Sequence, residues 1–458
     1  METKNSLTQG PIFSALTKLA VPIMATSLIQ MAYNMIDMIW IGRISSNAVA
    51  SVGAAGMYMW LANGVCTIAK VGGQIKVGHS MGAKQVDRAK LYAKSTLQLG
   101  ILFAFIYGFI MILFSRNLIS FLKLNQESVI LDARKYLMIT CGLIIFAFLN
   151  QIFIGLYTAI DKTRIGFIAT SIGLVMNFVL DPILIFGIGP FPRLEVAGAA
   201  CATIFSQLTV TLIFILAAFK DTVLFRQLKI ISKPDVDTMK EVVHIGLPIG
   251  VQSMMFTGIS MVLSRIVATF GDTAIAVQKI GGNIESISWM TSEGFSSAVN
   301  TFLAQNHGAG NKDRVKKGYK VSMFVVMGWG IFASILLIFF PAPLFRIFIN
   351  EPETIAMGVS YLQVIGYSQF FMCMEMATQG AFAGLGKTVP PSLVSIGFNL
   401  LRIPSAMFLI TTPLLLNGVW WSISISSVLK GVLLVIWFLF YLRKYIGSET
   451  DVVSQDNE

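Results

Sequence analysis

Gln30, Tyr33, Asn34 and Asp37 recur at the i, i+3, i+4, i+7 spacing that sets side chains on one face of an α-helix. Thr26 and Ser27 extend that face by another turn, inside a stretch from Ile12 to Gly42 that is otherwise almost wholly apolar. Asn177 and Asp181 stand four apart in MNFVLDPILIFG, stacked on one side of a second helix. Pro182 follows directly, and a proline inside a helix frees the carbonyl four residues back, here that of Phe178. Pro22 does the same to Lys18, which marks a bend. A pair of carboxylates in one pocket can hold a proton, or bind Na⁺ through oxygens once amide carbonyls and a hydroxyl join it. The plain alternative is that the acids only hydrogen-bond neighbouring helices. Two aspartates on separate helices, each flanked by an amide, favour ion binding. A bare carboxylate facing lipid is costly, so both faces are expected to look into a cavity or the bundle.

The elements that must position these groups are long apolar helices. The chain has 458 residues, 55% hydrophobic and 12% charged, with a mean hydropathy of +0.74; a soluble globular chain carries about 25% charged residues. Apolar blocks long enough to cross a bilayer recur throughout, without the short alternating strands of a membrane barrel. Twelve spans are expected, near 13–42, 46–80, 86–121, 127–160, 163–188, 196–220, 241–270, 272–306, 312–345, 352–385, 388–412 and 416–444. The fold class is therefore an all-α polytopic membrane protein. The polar N-terminus leads into an apolar run too long for a signal-peptide core, so the first helix is expected to stay.

The chain repeats itself. A shift of 226 residues aligns Pro22-Ile23 with Pro248-Ile249, Gly82 with Gly308, Asp87-Arg88 with Asp313-Arg314 and Lys90 with Lys316. Further on, GLYTAIDKT (155–163) faces GAFAGLGKT (380–388), and Asn177 and Pro182 face Asn399 and Pro404. Two six-helix repeats follow, and their even count makes them parallel. Residues 1–220 form an N-lobe, 221–240 a cytoplasmic linker, 241–446 a C-lobe and 447–458 a polar tail. Lys and Arg crowd the loop after the second span (Lys84, Arg88, Lys90, Lys94), the linker (Lys220, Arg226, Lys229, Lys233, Lys240) and the loop after the eighth span (Lys312, Arg314, Lys316, Lys317, Lys320). The positive-inside rule puts these and both termini in the cytoplasm. The acids belong to one repeat only: Asp37 aligns with Leu263 and Asp181 with Ile403.

Other chemistry is sparse. The net charge of +11 reads as short basic loops meeting anionic lipid rather than nucleic acid. Four scattered cysteines and three distant histidines offer no zinc spacing. GLGKT looks like the end of a phosphate loop, but Ala381 stands where that motif needs glycine and no strand precedes it. The second half carries charges of its own, Arg265, Lys279, Glu285, Glu293, Glu375, Arg402 and Lys430, read as buried packing partners or cavity lining.

With these residues in view, the sequence resembles the multidrug and toxic compound extrusion (MATE) family of secondary exporters, over about residues 12–445. LAVPIMATSLIQMAYNMIDMIWIGRIS, HSMGAKQVDRA, GLYTAIDKTR, NFVLDPILIFG, VAGAACATIFSQ, IGLPIGVQSM and GAFAGLGKT carry the likeness in one order, as does IGGNIESISWMTSEGFSSAVNTFLAQNHGAGN. The resemblance is to the DNA-damage-inducible and archaeal-like prokaryotic branch. It implies two six-helix lobes forming a V and export of cationic and amphipathic compounds against inward H⁺ or Na⁺, with no cofactor beyond the coupling ion. It further implies a cation site of Asp37, Asn177, Asp181 and Thr203, with Na⁺ or H⁺ as occupant. Gln30, Tyr33, Asn34 and Asn150 would be polar groups of the N-lobe lining the substrate cavity, and Pro22 the hinge. In another prokaryotic branch a seventh-helix glutamate belongs to a C-lobe site; Phe256 takes its place here, and no aspartate occurs in the tenth helix. The reading expects a monomer in the cytoplasmic (inner) membrane, acting on small molecules and not an enzyme. A lipid-linked saccharide flippase, a major-facilitator carrier and a membrane-embedded enzyme stand as alternatives.

Overall fold

The computed structural model describes residues 7–122, 126–225, 228, 230–349 and 351–447. Arg226, Lys229 and residues 448–458 of the expected tail lie outside the described residues. Fifteen helices are described: α1 Ile12–Gly42, α2 Ser46–Gly82, α3 Val86–Leu113, α4 Ser115–Phe121, α5 Glu127–Gly142, α6 Ile145–Ala159, α7 Thr163–Phe186, α8 Glu195–Lys220, α9 Val236–Ala268, α10 Asp272–Gly308, α11 Lys312–Phe339, α12 Pro341–Arg346, α13 Pro352–Gly384, α14 Val389–Leu409 and α15 Leu416–Gly447. Among the described residues no strand occurs.

Nine of these helices are long and apolar enough to cross a membrane, and α5 with α6 make a tenth span bent by 46°. α10 and α13 complete twelve long segments. Their apolar content is diluted by buried polar groups, Ser292, Thr301 and Asn306 on α10 and Ser368, Gln369 and Thr378 on α13. These two helices pack against each other, so their polar residues face protein rather than lipid. Three expected spans are not single helices. The third ends in the separate short α4 and the ninth in α12, where Pro341 starts a new helix. The fourth breaks after Gly142, a residue of poor helix propensity, two residues beyond Thr140, whose hydroxyl donates to the Tyr136 carbonyl. The expected linker 221–240 is also shorter. α9 begins at Val236, where Asp235 accepts from the Thr238 N–H at 3.1 Å and caps the helix.

The chain forms two compact units: residues up to Met24 with those from Met255 onward, and Ala25–Met254. The division falls inside α1 and α9 rather than in the 221–240 segment, because each of these helices contributes its two ends to different units. In the Ala25–Met254 unit, α2 and α9 approach until their backbones touch. A methyl group added at Gly246 would lie 1.8 Å from the Ile68 carbonyl oxygen, and one at Gly72 2.1 Å from that of Val242. Small residues allow such an approach between membrane helices.

Candidate cation site

Both acids lie in the Ala25–Met254 unit. Glycines bring α7 and α8 together: a Cβ at Gly198 would sit 2.4 Å from the Leu184 carbonyl, and one at Gly173 2.3 Å from Val210 Cγ2. That closeness carries Thr203 of α8 toward the acids. The Thr203 hydroxyl donates to Asp37 Oδ2 at 3.4 Å, and the Tyr33 hydroxyl donates to the Thr203 backbone carbonyl at 3.4 Å. On α7, Asn177 Nδ2 donates to Asp181 Oδ1 at 3.3 Å across one helical turn. Asp181 and Asn177 in turn face Asp37. Asp181 and Asn177 are wholly buried, Thr203 is 4% exposed and Asp37 9%. Trp40, one turn beyond Asp37, packs tilted against Phe178 at 6.1 Å and edge-on against Phe186 at 6.2 Å and fixes α1 to α7 beside the acids.

Three oxygens of this cluster are buried without a hydrogen-bond partner: Asp37 Oδ1, Asn177 Oδ1 and Asp181 Oδ2. No lysine or arginine among the described residues is within ion-pair distance of either acid. Buried acceptors left without donors are costly, and two facing carboxylates need positive charge between them. The donor set is all oxygen, two carboxylates with an amide and a hydroxyl, which suits a hard cation or a proton. Among the described residues there is no group of three or more His, Cys, Asp or Glu that could hold a metal ion.

Other expected groups stand apart. Asn150 gives Nδ2 to the Gln207 carbonyl at 2.9 Å and takes the Thr211 hydroxyl at 2.8 Å, so it ties α6 to α8 and touches neither acid. Asn34 is exposed, turned about 100° from Tyr33 around the helix, and Gln30 is half-buried without a described bond to either acid. Pro22 lies inside α1, which continues as one helix across it. The sequence reading missed Tyr136 of α5, 6% exposed, which faces Asp37, Asp181 and Thr203. The repeat offset of 225 that aligns GLYTAIDKT with GAFAGLGKT pairs Tyr136 with Tyr361, a signal that was present in the sequence.

The charges of the second half divide in two. Arg265, Lys279 and Glu293 are exposed, contrary to the expectation of burial, because the register of α9 and α10 turns them from the packed face. Glu375, Arg402 and Lys430 are buried at 4%, 6% and 5% exposure. Lys430 Nζ pairs with Glu375 Oε1 at 3.1 Å and donates to Asn399 Oδ1 at 3.1 Å. Arg402 is held by the hydroxyls of Ser426 and Ser427 at 2.6 and 3.0 Å. Half-buried Glu285 accepts from Tyr361 at 3.3 Å and Gln369 at 3.2 Å.

Comparison with known proteins bears on what such a site serves. The MatE family model matches residues 22–183 and 248–408, twice along the chain and starting at Pro22 and Pro248. The chain is 28% identical to a probable multidrug resistance protein NorM of Thermotoga maritima over 93% of this chain and 91% of that one. It is 26% identical to an FAD transporter of Shewanella oneidensis, with 80% of each covered, and 24% identical to the multidrug export protein MepA of Staphylococcus aureus, with 96% of each covered. In fold it is similar to a MOP superfamily transporter from Pyrococcus furiosus, with a TM-score of 0.88 at 20% identity over 95% of this chain and 97% of that one. A structure described as MATE in the bent conformation gives 0.89 at 20% identity over 97% and 98%.

Proposed function

Since this chain belongs to the MatE family of membrane transporters, we propose that it exports cationic and amphipathic compounds, drugs among them, in exchange for H⁺ or Na⁺. The relatives named for multidrug export support the cargo class. The observation that supports the coupling is the cluster of three partnerless buried oxygens on Asp37, Asn177 and Asp181 with no built-in counter-cation. Asp37 of α1, Asn177 and Asp181 of α7 and the Thr203 hydroxyl of α8 would hold a cation taken up there. Tyr33 and Trp40 keep α1 aligned on the partner helices while the acids exchange charge.

Coupling requires that the cation bind one state of the transporter more tightly than the other. α1 is suited to convey that preference, because it contributes to both compact units and passes between them after Met24, two residues beyond Pro22. Pro22 removes one hydrogen bond from the helix at that point and lowers the cost of bending. In this reading export proceeds by alternating access, in the cytoplasmic membrane, with both termini in the cytoplasm.

The test is uptake of a fluorescent cationic drug into inverted vesicles under an imposed pH or sodium gradient. The panel includes flavin adenine dinucleotide, the cargo named for the Shewanella relative. One of the two gradients is expected to drive uptake. Asp37→Asn is expected to abolish it with membrane insertion intact. An Asp37→Asn protein that pumps normally removes the acid from the mechanism.

A further inference from the structure

The two halves solve the same electrostatic problem differently. Asn177 and Asn399 occupy corresponding repeat positions, on α7 and α14. Asn177 turns its NH₂ group to a carboxylate, Asp181. Asn399 turns its carbonyl to an ammonium, Lys430. Tyr136 and Tyr361 also correspond, the first facing Asp37 and Asp181 and the second donating to Glu285. Each cluster therefore contains one such tyrosine and asparagine at corresponding positions and two acids, the first having Tyr33 in addition. The first half holds Asp37 and Asp181 with no base in ion-pair range. The second holds Glu285 and Glu375 with Arg402 and Lys430, and Arg402 lies close enough to feel both acids. Its formal charges cancel, whereas the first cluster is short of positive charge.

We infer that Lys430 is a built-in counter-cation, filling in the second repeat the place that an exchangeable cation takes in the first, so that only one half of the transporter takes up coupling ions. The inference rests on the coupling reading above. Its geometry is specific: the ammonium sits 3.1 Å from both Glu375 Oε1 and Asn399 Oδ1. Glu375 Oε1 is further held by Gln379 at 2.8 Å and Ser395 at 3.2 Å. Remove the ammonium and the Glu375 carboxylate keeps only the neutral donors Gln379 and Ser395, while Arg402 alone is left to balance two acids. The cluster is then short of one positive charge, as the Asp37 cluster is short of positive charge, and it should recruit a proton or Na⁺.

The experiment counts cations bound by full-length purified protein, protons with a pH indicator and sodium by calorimetry. It compares wild type, Asp37→Asn, Lys430→Gln and Lys430→Gln/Glu375→Gln. Lys430→Gln is expected to bind one more cation than wild type, and the double variant to lose it again. If Lys430→Gln gains none, or the gain survives Glu375→Gln, the inference is wrong while the coupling reading stands. If Asp37→Asn binds as many as wild type, the coupling reading falls and takes the inference with it. Should Lys430→Gln aggregate at neutral pH, acidification is expected to recover it by placing a proton on Glu375. A variant that stays aggregated in acid also overturns the inference.

Discussion

Replacing Gly246 by alanine tests how α9 is fastened to α2. The added methyl carbon would lie 1.8 Å from the Ile68 carbonyl oxygen, a backbone atom that no rotamer change can move. Carbon and carbonyl oxygen approach to about 3.3 Å at closest, so the two helices must part by roughly 1.5 Å. Overpacking of this kind costs about 1–3 kcal/mol, and a backbone clash belongs at the upper end. Alanine recovers about 1 kcal/mol of helix propensity, leaving a net loss near 2 kcal/mol. Gly258 on the same helix is the control, since nothing lies within 4 Å of a Cβ there. Gly258→Ala keeps the propensity gain without the clash and should be neutral or slightly stabilising. Cys66, Cys141 and Cys373 are free and buried, so unfolding of detergent-purified protein can be followed with a thiol-reactive fluorophore. Gly246→Ala is expected to melt several degrees below wild type and Gly258→Ala at or above it. Coincident melting of the two variants would refute the backbone contact.

Two further outcomes are expected. Asp221, at the end of α8, is buried, which acts to raise its carboxyl, but hydrogen bonds from Lys162 and from the Phe225 and Leu224 N–H groups outweigh burial and hold it below the ordinary range. Such a group stabilises the fold fully above its unfolded value of about 4 and loses that effect as pH falls through the lower folded value. Asp221→Asn should therefore lower the melting temperature at neutral pH and converge with wild type in strong acid; a pH-independent gap contradicts this. Arg314 donates to the carbonyls of Leu7, Gln9 and Gly10 at 3.1, 2.8 and 2.7 Å and gathers the segment ahead of α1. Lysine cannot match that fork, so Arg314→Lys should raise hydrogen exchange at the start of α1, and unchanged exchange counts against the clamp.

Much of this was legible in the residues. Helices declare themselves by length and apolar content, and Asp37 and Asp181 stand out because charge is rare in such segments. The repeat was readable from Pro22 and Pro248 onward. What stayed hidden depends on packing. Asn34 shares a periodic stripe with Tyr33 and Asp37, yet a stripe spans more than 100° of the helix and only the Tyr33–Asp37 line meets α8. Asn150 is polar and buried, but its bonds to Gln207 and Thr211 satisfy it away from the acids. The break after Gly142 leaves no proline to announce it. Lys430 was read as a buried charge, but its partner stayed hidden, because Glu375 lies on another helix, 55 positions earlier in the chain.

The central claim is that Asp37 and Asp181 together hold the cation that cargo displaces. Its most direct measurement is cation release when a cationic drug is added to purified protein in weakly buffered detergent. Wild type should release protons or sodium as drug binds, and Asp37→Asn and Asp181→Asn should each release none. Undiminished release from either variant would contradict the account.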